Sequence, residues 1–387
     1  MEPVRTALVG CGGMSSAHVS GLEELRRADR RPLEIVAVCD PDTDRARQRA
    51  AQVAEVQGSE PALFERLEYL LGSGPELEAV DICTLHSAHH EVAVPCLEAG
   101  LAVLIEKPLG VTMRAARRIL DAAIRSRSLL AVAEQYRRSP EERARNWALR
   151  SGRIGRPRTF YWQDVSESLG KWGWRSFRQH SGGGWVLDGG VHFADMFRYH
   201  LGLQPREVFA VTRQFEPFRY DDAAERAGSW RVDVEDSSHA LVSFEDDVVV
   251  QWTWQGSAPG QGFRSRVLYG SEGCIDWGTG LWPRRGDHLS NEELVAVFRG
   301  SLDEEAEEEL FPGGVTHPVA VELVDFARAV RSGGRPEVDG MEGFEAQAIC
   351  LAVYESGWHG RPVTMREIER CELEGYQAGI NADLGIE

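Results

Sequence analysis

No CxxC spacing occurs in the chain, and the cysteine count is odd: Cys11, Cys39, Cys83, Cys96, Cys274, Cys350 and Cys371 are seven scattered thiols. Such a pattern argues against a disulfide framework and against a thiolate zinc motif. Reduced, mostly buried thiols of a cytoplasmic protein are the expectation. Positive charge is also in short supply: 43 Lys and Arg face 61 Asp and Glu, a formal net charge of −18. With no basic stripe to offset it, nucleic acid and acidic membrane are expected to be repelled. A small neutral ligand is the better partner. An anionic cofactor stays compatible, because backbone N–H groups bind phosphate locally whatever the global charge. No apolar run approaches a membrane span, and no basic-then-apolar leader opens the sequence. A GxSxG nucleophile elbow is absent. His86, His89 and His90 lie close together, but no thiol or acid stands at ligand spacing around them, so no metal site is expected.

What is present is an ordinary globular composition, 42% hydrophobic and 27% charged over 387 residues, enough for two domains. Short apolar strands at Thr6 to Val9, Glu34 to Cys39, Ala79 to Cys83, Ala102 to Ile105 and Leu130 to Ala133 alternate with helical patterns. That grammar predicts βαβ units and a parallel sheet covered on both faces. Beyond about residue 135 the pattern changes. Segments such as Val208 to Thr212, His239 to Phe244 and Val248 to Trp254 alternate polar and apolar residues, as an antiparallel sheet with one open face would. The expected fold is α/β: a dinucleotide-binding Rossmann domain over residues 1–135, then an α+β domain over 136–387 with a large open, mainly antiparallel sheet. Glu216 to Arg231 reads as a long loop bordering a pocket, and Asp303 to Glu309 as a solvated acidic face or loop.

Three sites carry chemistry. Gly10-Cys11-Gly12-Gly13-Met14-Ser15 follows the first strand and opens the first helix. Gly10 and Gly12 permit a tight turn and close approach to a pyrophosphate, and the helix N-terminus offers free N–H groups. Asp40, at the end of the second strand, would accept hydrogen bonds from the adenosine ribose and repel a 2′-phosphate, which favours NAD over NADP. The alternative is a turn whose glycines are purely conformational. NADP stays open, because Arg45 or Arg47 could tolerate a phosphate. Glu106-Lys107-Pro108 ends a strand of the same sheet, placing Lys107 near the cofactor, where its ammonium could stabilise charge developing on a substrate oxygen; a surface loop lysine is the bland alternative. Met14, Thr84, His89 and Glu106 complete the candidate cofactor-binding set of Gly10, Gly12, Gly13, Asp40 and Lys107. Finally, a helix over Trp185 to His200 would put Asp188 and His192 on one face, with Asp195 one turn on. His192 suits removal of a hydroxyl proton, and Asp188 suits holding a hydroxyl or orienting the imidazole. A helix start with a satisfied histidine is the competing reading. Trp174 and Arg175, in an aromatic stretch with Trp172, are candidates for substrate contact beside Lys107, Asp188 and His192, or else core or interface residues.

Taken in order, these motifs resemble the superfamily of glucose–fructose oxidoreductase, inositol dehydrogenase and rhizopine-catabolism proteins. The resemblance covers nearly the whole chain. It rests on Gly10 to Gly13 with His18, Cys39-Asp40-Pro41, Leu97 to Gly100 leading to Glu106-Lys107-Pro108, Gly182 to Gly184, Asp188 to His192 with Asp195, Val234 to Ser237, and Tyr354 to Val363. It implies a catalytic set of Lys107, His192 and Asp188. It further implies hydride transfer between NAD(P) and a secondary alcohol or ketone of a sugar, glycoside or cyclitol, and a homodimer or homotetramer formed through the open sheet. Three departures stand out. The usual Thr-Pro is Thr84-Leu85, the third fingerprint glycine is Ser15, and the segment between Arg213 and Val234 is individual, so substrate identity does not transfer. Two other functions compete: redox-neutral glycoside cleavage with tightly held NAD, and a non-catalytic NAD-binding regulator of a sugar pathway. Retention of Lys107, Asp188 and His192 argues against the regulator.

Overall fold

The computed structural model describes residues 2–386, which divide into two compact units. The first comprises Met1–Gly110, Ala115–Pro140 and Leu302–Phe344; the second comprises Val111–Arg114, Glu141–Ser301 and Glu345–Glu387. Where the sequence suggested one cut after residue 135, the chain crosses back, and residues 302–344 fold with the first unit.

The chain opens with β1 (Val4–Val9), α1 (Gly13–Arg27), β2 (Leu33–Cys39), α2 (Thr43–Gln57), β3 (Ala62–Phe64), α3 (Leu67–Ser73), β4 (Ala79–Ile82), α4 (His89–Glu98), β5 (Ala102–Glu106), α5 (Met113–Ser126) and β6 (Leu130–Ala133). The six strands form one parallel sheet in the order β3-β2-β1-β4-β5-β6. β4, β5 and β6 are buried at every position, as strands covered on both faces must be. Strand order reverses between β1 and β4, and the crevice outside their carboxyl ends is where open α/β sheets take ligands. The short, exposed β3 and the seven-residue α3 carry too little apolar periodicity to be read from sequence.

Next come α6 (Pro140–Arg150), β7 (Pro157–Val165), α7 (Arg178–Ser181), α8 (Trp185–Asp188), α9 (Gly190–Leu201), β8 (Pro205–Arg213), β9 (Phe218–Asp222), β10 (Ala227–Arg231), β11 (Ser237–Phe244), β12 (Val249–Gln255), β13 (Phe263–Gly270), β14 (Gly273–Asp276) and β15 (Gly280–Pro283). Then follow α10 (Asn291–Arg299), α11 (Glu304–Leu310), α12 (Pro318–Ser332), α13 (Gly340–His359) and β16 (Val363–Thr364). In the first unit α12 lies along α1, with Val319, Ala320, Leu323 and Phe326 in the core. That apolar face is the reason this distant segment belongs with the parallel sheet. The acidic run forms α11, whose glutamates are exposed or half-buried and whose N-terminus is capped by Asp303.

The second unit is built on an eight-stranded sheet in the order β15-β14-β13-β7-β12-β11-β8-β16, antiparallel except where β12 runs parallel to β7. One face packs on α9. Phe160 meets Phe197 at 5.4 Å, Trp162 meets Phe193 at 4.8 Å and Trp252 meets Phe197 at 5.7 Å between ring centroids. The other face carries exposed Tyr161, Phe209, Leu241 and Tyr269. Two expectations change here. Glu216 to Arg231, read as a loop, contains the hairpin β9–β10, whose largely exposed strands lack the apolar alternation that would reveal them. The helix expected over Trp185 to His200 is divided into α8 and α9 at Gly189, whose φ of −94° and ψ of −35° still carry the right-handed turn across the break. A Cβ on Gly190 would lie 2.5 Å from the Trp252 ring, so this glycine lets the helix seat on the sheet.

Gly190→Ala is therefore expected to destabilise the protein. Helix propensity gains about 1 kcal/mol, but overpacking against a buried indole costs about 1–3 kcal/mol. A denaturant midpoint equal to or above wild type would contradict this packing argument.

Candidate functional site

In the first unit the glycine loop and the end of β2 are joined. The Cys11 N–H donates to Asp40 Oδ2 at 2.7 Å, and Asp42 N–H donates to Asp40 Oδ1 at 2.8 Å. Gly10 has φ of +91°, and a Cβ there would stand 2.6 Å from the Cys83 carbonyl oxygen at the end of β4. Only glycine fits. By contrast, a Cβ on Gly12 or Gly13 would meet nothing within 4 Å. α1 starts at this open edge, with no side-chain cap and no acid in its first turn. A loop without Cβ bulk, first-turn amides without a side-chain cap and a carboxylate at the β2 end fit a dinucleotide: pyrophosphate on the amides, ribose at Asp40. Ser15, in place of the third glycine, is fully buried and donates to the Gly12 carbonyl at 2.7 Å. Arg45 and Arg47 are turned to exposed pairs with Asp42 (3.0 Å) and Asp44 (2.9 Å). Sequence reasoning missed Arg49. It is buried, and its guanidinium donates to the Gly12 carbonyl at 2.9 Å, bracing the loop from α2.

The ends of β4 and β5 hold a buried ionic cluster. His18 of α1 has Nδ1 at 2.8 Å from Asp81 Oδ2 and Nε2 at 3.1 Å from Glu106 Oε1. All three side chains are about nine-tenths buried or more. Carboxylates only accept, so both ring nitrogens carry protons and His18 is an imidazolium. Burial opposes the charge, but Asp81 and the neighbouring Cys83 hold the histidine pKa well above its usual value. Burial and Asp81 push the Cys83 thiol up in turn. His18, Asp81 and Cys83 have ligand-type atoms within 4.8 Å of one another; the hydrogen bonds account for that arrangement. Glu106 thus faces the interior. His89 is also fully buried, with Nδ1 2.9 Å from the Pro108 carbonyl, and burial lowers its pKa to about 3. It stays neutral and donates to that carbonyl, tying α4 to the loop after Lys107. Thr84 and Met14 are half-buried beside these ends, as is Lys107, which is joined to Pro108 by a cis peptide bond. Lysine occurs in the whole chain only at positions 107 and 171. Every other Lys or Arg position is arginine, so a lysine at the end of β5 is a signal that composition alone offered, since the two are not equivalent chemically.

In the second unit, Asp188 and His192 are both more than nine-tenths buried. Arg175 Nε donates to Asp188 Oδ1 at 2.9 Å, and its guanidinium lies 4.5 Å over the Trp174 ring. One candidate from the aromatic stretch, Arg175, is therefore brought directly to Asp188, and Trp174 lies against that arginine. Trp172 packs on Trp185 at 6.0 Å, and Trp185 stacks on Trp254 at 5.8 Å. The hairpin β9–β10 holds this stretch: Lys171 pairs with Asp221 at 3.3 Å and sits 5.5 Å over Trp230, while Tyr220 N–H donates to the Leu169 carbonyl at 3.0 Å.

Residues 4–134 match the oxidoreductase family with an NAD-binding Rossmann fold, and residues 143–276 match the GFO/IDH/MocA C-terminal domain, together more than half of the chain. The chain belongs to the Gfo/Idh/MocA oxidoreductase family. It is 29% identical over 301 residues to the 1,5-anhydro-D-fructose reductase of Ensifer adhaerens, covering 76% of this chain and 81% of that one. It is 26% identical over 373 residues to the D-apiose dehydrogenase of Paraburkholderia graminis, covering 94% and 90%. Among solved structures, the WlbA dehydrogenase of Bordetella pertussis in complex with NADH and UDP-GlcNAcA superposes with a TM-score of 0.74 at 20% identity, over 94% of this chain and 99% of that one. This likeness shows a shared fold. Among the described residues no helix is long and apolar enough to cross a membrane.

The charged His18 makes a pH prediction. Its folded pKa lies above the unfolded one, so its stabilising contribution is complete below the ordinary histidine pKa and is lost as pH rises through the raised folded value. The difference in unfolding free energy between wild type and His18→Gln should therefore shrink on the alkaline side. Nitrogen-15 spectra showing a neutral His18 ring at neutral pH would refute the assignment.

Proposed function

We propose that the chain is an NAD-dependent dehydrogenase acting on a secondary hydroxyl of a neutral sugar, glycoside or cyclitol, or on the matching ketone. The observation that carries this reading is the fixed pair on the second unit. Asp188, already held by Arg175, precedes His192 by one helical turn beside a wall of tryptophans. NAD, when bound, supplies the hydride acceptor in oxidation and, as NADH, the donor in reduction. His192 takes the hydroxyl proton as the C–H bond gives up its hydride and the carbonyl forms. Asp188 accepts a hydrogen bond from a substrate hydroxyl, and Arg175 keeps that carboxylate oriented. Lys107 offers its ammonium to the oxygen that becomes negative, and Trp174 offers an apolar face to the ring. Asp40 favours NAD, since a 2′-phosphate would meet its carboxylate while Arg45 and Arg47 are engaged with Asp42 and Asp44. The sugar-directed names of the relatives support the substrate class.

The test is NADH absorbance with purified protein, NAD or NADP, and a panel holding 1,5-anhydro-D-fructose, D-apiose, glycosides and inositols. Turnover with NAD is expected for at least one alcohol–ketone pair. His192→Ala is expected to lose about 10²–10⁴-fold in kcat, and Lys107→Ala a comparable amount. Silence with the whole panel despite NAD binding would shift the reading to redox-neutral glycoside cleavage or to a sensor.

The open sheet face is the surface proposed for self-association. Tyr161, Phe209, Leu241 and Tyr269 stand on it exposed, on four of its strands, which is costly for a surface left to water. Leu241→Asp together with Phe209→Asp should shift the mass measured by light scattering towards the monomer. A wild type that is itself monomeric would sink the proposal.

A further inference from the structure

Glu235 precedes β11 and is 8% exposed. Three donors meet its carboxylate: the Gly184 N–H at 2.7 Å, the Val186 N–H at 3.0 Å and the Tyr354 O–H at 2.8 Å. Two of these are backbone amides at the start of α8, which have no acceptor within the helix. The residue at the cap position, Gly184, has no side chain to serve them. The cap therefore comes from about fifty residues away, and it is a carboxylate facing the positive end of the helical run.

The surroundings are shaped for this contact. A Cβ on Gly184 would lie 2.8 Å from Glu235 Oε2, and one on Gly183 would collide with the Tyr354 hydroxyl. The glycine run thus lets the backbone reach the acid. Tyr354 is buried on α13, and its ring lies flat on Tyr376 at 4.5 Å. Burial and the adjoining acid push the Tyr354 hydroxyl well up, so it remains a donor. Burial leaves the Glu235 carboxyl above its ordinary range, although the three donors each lower it. What hangs on this clamp is the segment with Asp188 two residues beyond Val186 and His192 four beyond Asp188.

We propose that Glu235, braced by Tyr354, is a positioning residue that sets where the helical run bearing Asp188 and His192 begins, and so where both side chains stand. This rests on the roles given to those two residues above. Replacing Glu235 by Gln turns an amide donor towards groups that themselves donate, so at least one of the three bonds must break. Tyr354→Phe removes one bond and leaves the carboxylate on both amides.

The experiment compares wild type, Glu235→Gln, Tyr354→Phe and His192→Ala. Reduction of 1,5-anhydro-D-fructose is followed with NADH and with NADH deuterated at C4, and rates are normalised to NADH-binding molecules. Hydrogen exchange is read in the peptide spanning residues 183–189. For Glu235→Gln the expected results are a kcat lower by about tenfold or more, a larger isotope effect on kcat, NADH affinity within about twofold of wild type and faster exchange in the peptide. Tyr354→Phe should move the same way by less. A kcat loss that vanishes on normalisation overturns the proposal, as does wild-type exchange in the peptide. Should Glu235→Gln fail to fold, Tyr354→Phe carries the same outcomes. Full turnover by His192→Ala would instead overturn the reaction reading, and the exchange result would still decide whether Glu235 holds the helix.

Discussion

A Cβ at Gly10 would stand 2.6 Å from the carbonyl oxygen of Cys83, and one at Gly190 would stand 2.5 Å from the ring of Trp252. Backbone approach of this kind is the constraint on which both units depend. In the first it lets the loop after β1 pass against the end of β4, at the point where strand order reverses. In the second it lets α9 settle onto the sheet. The fingerprint glycines and the helix glycines therefore do different work. Gly12 and Gly13 face open space suited to a ligand, whereas Gly183, Gly184 and Gly190 make room for the protein's own Tyr354, Glu235 and Trp252.

Buried charge follows a common plan in the two units. Five buried acids, Asp40, Asp81, Glu106, Asp188 and Glu235, are each held by an opposite charge or by backbone amides. Asp40 receives two backbone N–H groups, Glu106 and Asp81 share the His18 imidazolium, Asp188 receives Arg175, and Glu235 receives the start of α8. Isolated buried charges would be costly; paired and hydrogen-bonded ones are tolerated and lose rotational freedom. Orientation, rather than net stability, is what such pairs contribute.

The alternation of apolar strands and helices was readable because strands covered on both faces are apolar throughout. The glycine loop was readable because Gly10 and Asp40 each mark a backbone or hydrogen-bonding need that few residues meet. Polar or short elements were not readable. The hairpin β9–β10 hides in a charged stretch, and α12 gives no hint in its own pattern of which unit its apolar face will cover.

By itself, then, the sequence determined the parallel sheet, its glycine loop and acid, and the family to which the chain belongs, because these depend on local periodicity and on short motifs. Tertiary structure alone decided that His89 and Glu106 face inward, that Arg49 braces the glycine loop, that Arg175 holds Asp188, and that Glu235 caps α8 from about fifty residues away. Each of these joins groups distant in the chain. Hydrogen bonds and ion pairs of that sort leave no periodicity behind, and only the folded backbone brings their partners within reach.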